Sequence, residues 1–309
     1  MSLKKLNYLL MVLSFFLPFL LYLKTMAPTV SLWDCGEFIA TSIIMGIPHP
    51  PGTPLYLIIG NFFSQLPTFD DLGARVNLVS PLASALSIMF LYLIIQYLIE
   101  EFHKEKDIST YLASFIGALT FAITDSHWFN AVEAEVYALS TLFTAIVVWL
   151  ILKWSREAEF SNQVKYLILI FYCIGLAIGV HLLNLLAIPF IALTIYFKYY
   201  DGNKKEVNFK NWLIMSLITG LCFIIIYKGI IKGLPSIINK TQDFTILFSF
   251  FFIIIVSTIL ININWSKYDE SYYKNIAIFC FSFALIFITV NELTIENYRD
   301  KINSDKSQL

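Results

Sequence analysis

Charged residues are scarce in this sequence. Asp, Glu, Lys and Arg together make up 14% of the 309 residues, whereas about a quarter of the residues in an ordinary soluble domain are charged. Hydrophobic residues make up 58%, and the mean hydropathy is +0.72. A soluble core cannot bury that much apolar surface, so the composition excludes an ordinary soluble domain and indicates an integral membrane protein.

The sequence also lacks a basic excess, paired cysteines and the common nucleotide-binding and hydrolase motifs. The formal net charge is -1, which argues against nucleic acid as a partner because phosphate neutralisation needs a surplus of lysine and arginine. The 4 cysteines lack the CxxC-type spacing of a metal site or a disulfide framework. No P-loop, GxGxxG, GxSxG or HExxH string occurs, which argues against an ATP-driven pump.

What the sequence has instead is a series of apolar runs. A helix needs about 20 apolar residues to cross the hydrocarbon core of a bilayer. Nine runs approach that length, at residues 6–23, 76–99, 111–124, 136–152, 164–180, 182–197, 212–227, 244–263 and 276–290. We therefore predict an all-α bundle of about nine transmembrane helices over residues 1–290, followed by a polar C-terminal tail over residues 291–309. No small-residue cleavage site follows the first run, which we expect to be an uncleaved span.

The charges of the loops predict an orientation. Lysine and arginine are commoner in the loops that share a side with the N-terminus, which places the N-terminus in the cytoplasm. The first outer loop then covers residues 25–74, and its apolar segment 56–63 is too short to span, so we predict a re-entrant or interfacial helix there. Most carboxylates and histidines beside the spans then lie outside, in apolar surroundings where ionisable groups are usually functional.

The first outer loop carries two acidic residues at helical spacing. Asp34 and Glu37 are three residues apart in the segment Leu32-Trp-Asp-Cys-Gly-Glu-Phe, so on a helix both carboxylates share a face. Such a pair suits a general base together with a metal or hydroxyl anchor. The alternative is structural, with Asp34 as the N-cap of a short helix and Glu37 in its first turn.

A proline-rich turn later in the same loop presents a histidine. His49 begins the segment His49-Pro-Pro-Gly-Thr-Pro, which cannot form a regular helix because prolines remove backbone donors and restrict the residues before them. His49 would bind a phosphate or donate to an oxyanion. The alternative is a turn histidine satisfied by the local backbone.

The loop between the third and fourth runs carries a second acidic pair. Glu133 and Glu135 are two residues apart, and on a helix they cannot face the same way. We therefore expect one of them at most to point into a shared cavity and the other to meet water or lipid headgroups. The nearby aromatic residues Trp128, Phe129 and Tyr137 fit a belt at the membrane interface.

Three further polar residues adjoin predicted spans. Arg75, at the start of the second span, would hold a phosphate bidentately or act as a snorkelling anchor. His181 and Asn184 lie at the outer turn between the fifth and sixth spans. They either reach the same cavity or hydrogen-bond across helices.

Five blocks of the sequence, in order, carry a family resemblance. They are Ala27-Pro-Thr-Val-Ser-Leu-Trp-Asp-Cys-Gly-Glu-Phe-Ile-Ala, His49-Pro-Pro-Gly-Thr-Pro-Leu-Tyr, Arg75-Val-Asn-Leu, Ala131-Val-Glu-Ala-Glu-Val-Tyr-Ala-Leu-Ser and Gly179-Val-His-Leu-Leu-Asn-Leu-Leu-Ala-Ile-Pro. In them the sequence resembles the bacterial domain-of-unknown-function family related to transmembrane protein 260, a protein O-mannosyltransferase of the GT-C class. The resemblance covers about residues 6–189.

The resemblance implies a GT-C-like fold and a membrane glycosyltransferase in the bacterial inner membrane. Such an enzyme takes a sugar, mannose in the named relative, from a polyprenyl-phosphate donor and transfers it to a hydroxyl group outside the cytoplasm. The acceptor would be a secreted or membrane protein. In the GT-C class an acidic residue of the first outer loop is typically essential, and the matching positions here are Asp34 and Glu37.

We accordingly predict a single displacement with inversion. Asp34 acts as the general base or as a ligand of a divalent metal ion, and Glu37 orients it. The residues predicted to bind donor or acceptor are His49, Arg75, Glu133, Glu135, His181 and Asn184. Two other functions stay open, namely a lipid or solute transporter and a membrane assembly subunit without an active site.

Overall fold

Helices account for all the regular structure in the part of the chain that the computed structural model describes, which is residues 2–50, 52–103, 107–157, 164–202, 209–233 and 236. The α-helices are α1 Leu3–Thr25, α2 Cys35–Ile44, α3 Pro54–Ser64, α4 Leu72–Asn77, α5 Val79–His103, α6 Ile108–Ala122, α7 Asp125–Ala131, α8 Val136–Glu157, α9 Val164–Ile178, α10 Ala187–Gly202 and α11 Phe209–Ile224. A 3-10 helix, Leu182–Leu186, precedes α10, and a π-helical stretch, Ile225–Gly233, continues α11. The predicted all-α class is confirmed for these residues.

Within the described residues, three helices are long and apolar enough to cross a membrane. They are α1, the continuous stretch Leu72–His103 that joins α4 to α5, and α8. The pair α6 and α7 is bent by 69° and would make a fourth span if it crosses as a broken helix. Long apolar helices therefore stand where three of the predicted runs lie, at residues 6–23, 76–99 and 136–152.

The remaining predicted spans are not established by these helices. Helices α9 and α10 fall on the runs 164–180 and 182–197 but are shorter apolar helices, and α11 covers most of the run 212–227. The runs 244–263 and 276–290, and the polar tail, lie outside the described residues. The count of nine spans and the GT-C-like arrangement stay predictions.

The chain divides into two units. The first comprises Met1–Pro48 and Thr53–Leu152, and the second comprises His49–Gly52 and Lys153–Leu309. In the first unit α1, α5 and α6 pack against one another. Buried tyrosines and small residues fill the interface, in the cluster Leu10, Tyr22, Ile88, Tyr92, Tyr111, Ala118, Ala122 and Ala131. Small residues let the helix backbones approach closely in an apolar bundle.

Hydrogen bonds fasten both ends of this bundle. The Tyr22 hydroxyl donates to the backbone oxygen of Ala122 at 2.7 Å, which ties the end of α1 to the end of α6. Near the other end, the Tyr92 hydroxyl donates to Oδ1 of Asn7 at 2.5 Å. Because a buried polar group without a partner is costly, each bond also fixes how the helices rotate against one another.

The segments that meet where α1 ends and α5 begins form what we call the loop end. Asn77, fully buried, donates from Nδ2 to the backbone oxygens of Ala27 and Thr29, each at 2.8 Å. The Ala27 backbone N–H donates to the Val132 oxygen at 2.8 Å, so the first loop is also held against the turn between α7 and α8. Helices α2 and α3 pack on each other and on α4. The loop over residues 25–74 thus contains the helices α2 and α3 and the start of α4, and its re-entrant or interfacial placement stays a prediction.

In the second unit, α9 contacts the 3-10 helix, and α10 packs on α11. His49, Pro50 and Gly52 also belong to this unit and are not helical, and the Gly52 backbone N–H donates to the His49 oxygen at 3.0 Å. Gly52 has a φ of 71°, a left-handed conformation that glycine adopts without steric cost. The predicted non-helical turn at His49 is confirmed.

Candidate functional site

Helix α2 begins at the acidic motif of the first loop. Asp34 occupies its N-cap position and Glu37 lies in its first turn, as the structural alternative predicted. However, the Asp34 side chain makes no capping hydrogen bond to the described residues of α2. The residue before it, Trp33, has a φ of 62°, which is strained for a bulky side chain. Asp34 is exposed, so its carboxylate is presented at the surface.

The two carboxylates of α2 lie on one face, as their spacing predicted. One oxygen of Asp34 and one of Glu37 lie within 4.8 Å of each other. Glu37 is half-buried, whereas Asp34 is exposed. Oxygen ligands of this kind fit a hard divalent cation such as Mg²⁺ or Mn²⁺, and they also fit a base that is oriented by its neighbour.

The second acidic pair differs from its prediction. Glu133 and Glu135 are both buried, with 3% and 6% of their surfaces exposed. The expectation that one of them meets water or headgroups is wrong because it assumed helical spacing. Helix α7 ends at Ala131 and α8 begins at Val136, and in the turn between them the Glu135 N–H donates to the Glu133 oxygen at 2.8 Å.

Two contacts join this turn to the first loop. The Ser31 hydroxyl donates to Oε2 of Glu133 at 2.5 Å. The thiol of Cys35, the first residue of α2 and fully buried, donates to Oε1 of Glu135 at 3.8 Å. The structure therefore brings both acidic stretches of the sequence to the loop end of the first unit.

A buried tyrosine completes the arrangement. Tyr56 of α3 is fully buried, and its ring meets the edge of the Phe38 ring with centroids 5.5 Å apart. Its hydroxyl and the Oε1 of Glu133 have no hydrogen-bond partner among the described residues. We call Cys35, Tyr56, Glu133 and Glu135 the acidic cluster.

The electrostatics of the acidic cluster follow from its burial. Burial raises the pKa of Glu135 to about 7, and the nearby carboxylates of Asp34 and Glu133 add to the rise. Burial, helped by Glu133 and Glu135, raises the pKa of the Cys35 thiol to about 12. The pKa of Tyr56 is raised by burial and then by Glu135 and Cys35. At neutral pH the thiol and the phenol are therefore protonated, and Glu135 is poised between its two forms.

Arg75 donates hydrogen bonds to backbone oxygens nearby in the chain. It lies on α4 and donates from Nε to the Phe69 oxygen at 2.5 Å and from Nη1 to the Ser64 oxygen at 3.2 Å. These bonds clamp the segment between α3 and α4. The structure thus gives Arg75 a loop-holding role, and its phosphate-binding role stays a prediction.

The other predicted site residues belong to the second unit. His181 is the N-cap of the 3-10 helix and accepts through Nδ1 from the Leu183 N–H at 3.2 Å. Asn184 is buried and donates to the oxygens of Ala177 and His181 at 3.0 and 2.9 Å. Burial lowers the pKa of His181. Asn184 thus reaches back to α9, whereas the Nδ1 bond of His181 caps its own 3-10 helix. The binding roles of these two residues, and that of His49 in the turn described above, stay predictions.

Reasoning from the sequence missed Ser31, Cys35 and Tyr56. Each sits beside a motif that was recognised, but each acquires its role through a partner about a hundred residues away or on another helix. No local periodicity signals such a contact. The nearest signal was that Cys35, unlike the other cysteines, lies within an acidic motif.

The chain is similar to known membrane-family sequences along more than half of its length. Residues 34–206 match the family described as the Protein O-mannosyl-transferase TMEM260 N-terminal domain. A curated relative, Protein O-mannosyl-transferase tmem260 of Dictyostelium discoideum, is 27% identical over 221 residues, which are 67% of this chain and 25% of that protein. The Mus musculus protein of the same name is 24% identical over 132 residues, or 43% of this chain and 18% of that protein. No solved structure matches the chain.

The aligned regions thus span a quarter or less of the length of these two relatives. The family match begins at Asp34 and includes Glu37, Tyr56, Glu133 and Glu135, so it covers nearly the whole loop-end site. It extends over more than half of the 309 residues. The chain therefore belongs to the family of the TMEM260 protein O-mannosyl-transferase N-terminal domain.

Proposed function

We propose that this chain is a membrane glycosyltransferase, or the donor-handling part of one. It transfers a sugar, mannose by analogy with the names of its relatives, from a polyprenyl-phosphate donor to a hydroxyl group on a protein. The observation that carries the proposal is the meeting of two acidic stretches, Asp34 with Glu37 and Glu133 with Glu135, at one end of an apolar helix bundle. We propose that this end of the bundle lies on the outer side of the membrane.

The reaction that fits is a single displacement. Asp34, whose exposed side chain makes no capping hydrogen bond to the described residues of α2, takes the proton of the acceptor hydroxyl. The acceptor oxygen attacks the anomeric carbon, the bond from that carbon to the phosphate oxygen breaks, and the polyprenyl phosphate leaves with the electron pair. Glu37 orients Asp34 from the adjacent turn of α2, and the pair would hold a divalent cation if the reaction uses one.

Apolar surface is needed because the donor is a lipid. The long apolar helices offer a place for the polyprenyl chain beside the loop end. Four further roles rest on the sequence patterns alone. We propose that the departing phosphate is stabilised by His49, Arg75 and His181, and that Asn184 binds donor or acceptor.

The test is sugar transfer by the full chain reconstituted in lipid nanodiscs. We would supply radiolabelled polyprenyl-phosphate mannose and an acceptor peptide rich in serine and threonine. Asp34→Asn should lower the transfer rate by about 100-fold or more, the usual effect of losing a general base. Asp70→Asn is the matched control, since Asp70 is an exposed carboxylate in the same loop.

Two results would overturn the proposal. One is equal transfer by wild type and Asp34→Asn. The other is no transfer by folded wild type from any polyprenyl-phosphate hexose, which would favour a transporter or an assembly subunit. Loss of transfer in Asp34→Asn with normal transfer in Asp70→Asn supports the proposal.

A further inference from the structure

The acidic cluster contains buried polar atoms with nothing to bind. The Tyr56 hydroxyl and Oε1 of Glu133 belong to side chains that are 0% and 3% exposed, and neither atom has a hydrogen-bond partner among the described residues. Thr53, three residues before Tyr56 at the start of α3, is 4% exposed, and its hydroxyl also has no partner within the described part of the chain. Buried polar atoms in proteins are nearly always paired, so an unpaired set indicates a missing partner.

The position of Tyr56 connects its hydroxyl to the carboxylates. Its pKa responds to Glu135 and Cys35, and its ring is held in place by Phe38. Ser31 and Cys35 each occupy one oxygen of the two glutamates, which fixes the side chains and leaves the Oε1 of Glu133 available. The cluster therefore offers a ligand a hydroxyl donor on Tyr56 and a carboxylate acceptor on Glu133, both buried and both without a hydrogen-bond partner among the described residues.

Charge decides the chemical class of that occupant. The carboxyl groups of the cluster are those of Glu133 and Glu135, and Asp34 adds a further carboxylate close enough to raise the pKa of Glu135. A phosphate brought here would be repelled by these carboxylates, and no lysine or arginine belongs to the cluster to neutralise it. A sugar ring is neutral, and each of its hydroxyls both donates and accepts hydrogen bonds.

Resting on the proposed function, we infer that the acidic cluster binds the hexose ring of the lipid-linked donor and excludes its phosphate, with the Tyr56 hydroxyl and Oε1 of Glu133 as hydrogen-bond partners of the sugar hydroxyls. The phosphate then lies away from the cluster. Asp34, exposed at the edge of the same region, is left to meet the acceptor. Tyr56 and Glu133 thereby determine which sugar is accepted, and the lipid phosphate contributes affinity elsewhere.

The experiment compares two ligands that differ only in the sugar. Binding of polyprenyl-phosphate mannose and of polyprenyl phosphate without sugar is measured by calorimetry on the full chain in nanodiscs. Tyr56→Phe removes one hydroxyl and keeps the ring against Phe38. It should weaken binding of the sugar-bearing lipid by about 10-fold, the usual size for one lost hydrogen bond, and leave the sugar-free lipid unchanged.

Tyr92→Phe is the matched control, because Tyr92 is an equally buried tyrosine whose hydroxyl bonds Asn7 at the other end of the bundle. It should change neither affinity. Glu133→Gln is the second variant, to be used in place of Tyr56→Phe if that protein does not fold, and it should show the same preference for affecting the sugar-bearing lipid.

The outcomes separate this inference from the proposed function. Equal weakening of both lipids by Tyr56→Phe or Glu133→Gln would show that the cluster binds the phosphate, and no effect on either would show that it binds no part of the donor. Each result overturns the inference. Since the readout is binding, a wild type that binds the sugar-bearing lipid more tightly but transfers nothing would overturn the enzyme proposal and leave the sugar site standing.

Discussion

At the loop end of the first unit, Glu133 and Glu135 are buried, an oxygen of Glu133 is without a partner among the described residues, and the pKa of Glu135 is raised to about 7. At the opposite end, Asp107 is exposed beside the start of α6. It accepts from the Thr110 N–H and from the hydroxyls of Ser109 and Thr110, each at 2.8 Å. These bonds lower the pKa of Asp107 to about 2.

The difference separates a structural carboxylate from a candidate functional one. Asp107 caps a helix, and its hydrogen bonds stabilise the charged form. The Ser31 hydroxyl donates to Glu133, and the Cys35 thiol and the Val136 N–H donate to Glu135, but burial disfavours the charged form of Glu135 more than these bonds favour it. Burying such carboxylates lowers the free energy of unfolding. Carboxylates with a pKa perturbed in this way are found preferentially at sites that bind a ligand or carry out a reaction.

The largest effect should come from releasing the loop end altogether. Asn77→Ala removes the two hydrogen bonds that hold the backbone of residues 27–29, and it leaves two carbonyl groups in a partly buried position without this partner. We expect a loss of about 2–4 kcal/mol in the free energy of unfolding, read as a lower thermal midpoint in detergent. Asn130→Ala, which removes an exposed bond within α7, is the control and should change little. A midpoint unchanged by Asn77→Ala would contradict the structure.

The second effect is a pH dependence of stability. The pKa of Glu135 rises from 4.5 to about 7 on folding, so protonation favours the folded state. This contribution is fully present below about pH 4.5 and is lost as the pH rises through 7. It amounts to about 3 kcal/mol at most, because one pKa unit corresponds to about 1.4 kcal/mol.

Glu135→Gln is neutral at every pH and isolates this contribution. The thermal midpoint of wild type should fall between pH 5 and pH 8 by more than that of the variant. Asp107 provides the opposite sign, since its pKa is lowered and its contribution is lost only as the pH falls toward 2. If Glu135→Gln keeps the full slope of wild type, the group responsible is another one.

The third effect compares the removal of one serine hydroxyl at the loop end with the same removal at the opposite end of the first unit. Ser31→Ala removes the donor to Glu133 in a partly buried site and should cost about 1–3 kcal/mol, because it leaves the carboxylate without that partner. Ser109→Ala removes an exposed donor to Asp107, which keeps two bonds from Thr110, so its midpoint should stay close to wild type. Equal losses in the two variants would remove the distinction between the ends.

The smallest expected effect concerns the reactivity of the Cys35 thiol. With the other cysteines replaced by alanine, Cys35 should resist alkylation by iodoacetamide at pH 8 for hours, because its thiol is buried and its pKa is about 12. Mass spectrometry gives the modified fraction. Complete reaction after denaturation is the control, and rapid modification of the folded protein would show that the first turn of α2 opens.

The apolar runs and the acidic motif were predictable because both have local signatures. Long apolar stretches predict the helices over residues 6–23, 76–99 and 136–152. A spacing of three residues predicts that Asp34 and Glu37 share one face. The burial of Glu133 and Glu135 was not predictable in the same way. It depends on where α7 ends, and that end is set by packing of α7 on α5 and α6.

The contacts from the first loop to the turn before α8 have a consequence for biosynthesis. Ser31 and Glu133 are 102 residues apart in the chain, and Cys35 and Glu135 are 100 apart. The first loop must therefore wait, with its thiol and hydroxyl unpaired, until the ribosome has delivered α5, α6 and α7. A mutation or condition that delays or misplaces those helices during membrane insertion therefore leaves the loop end without these contacts, even when every residue of the loop end is unchanged.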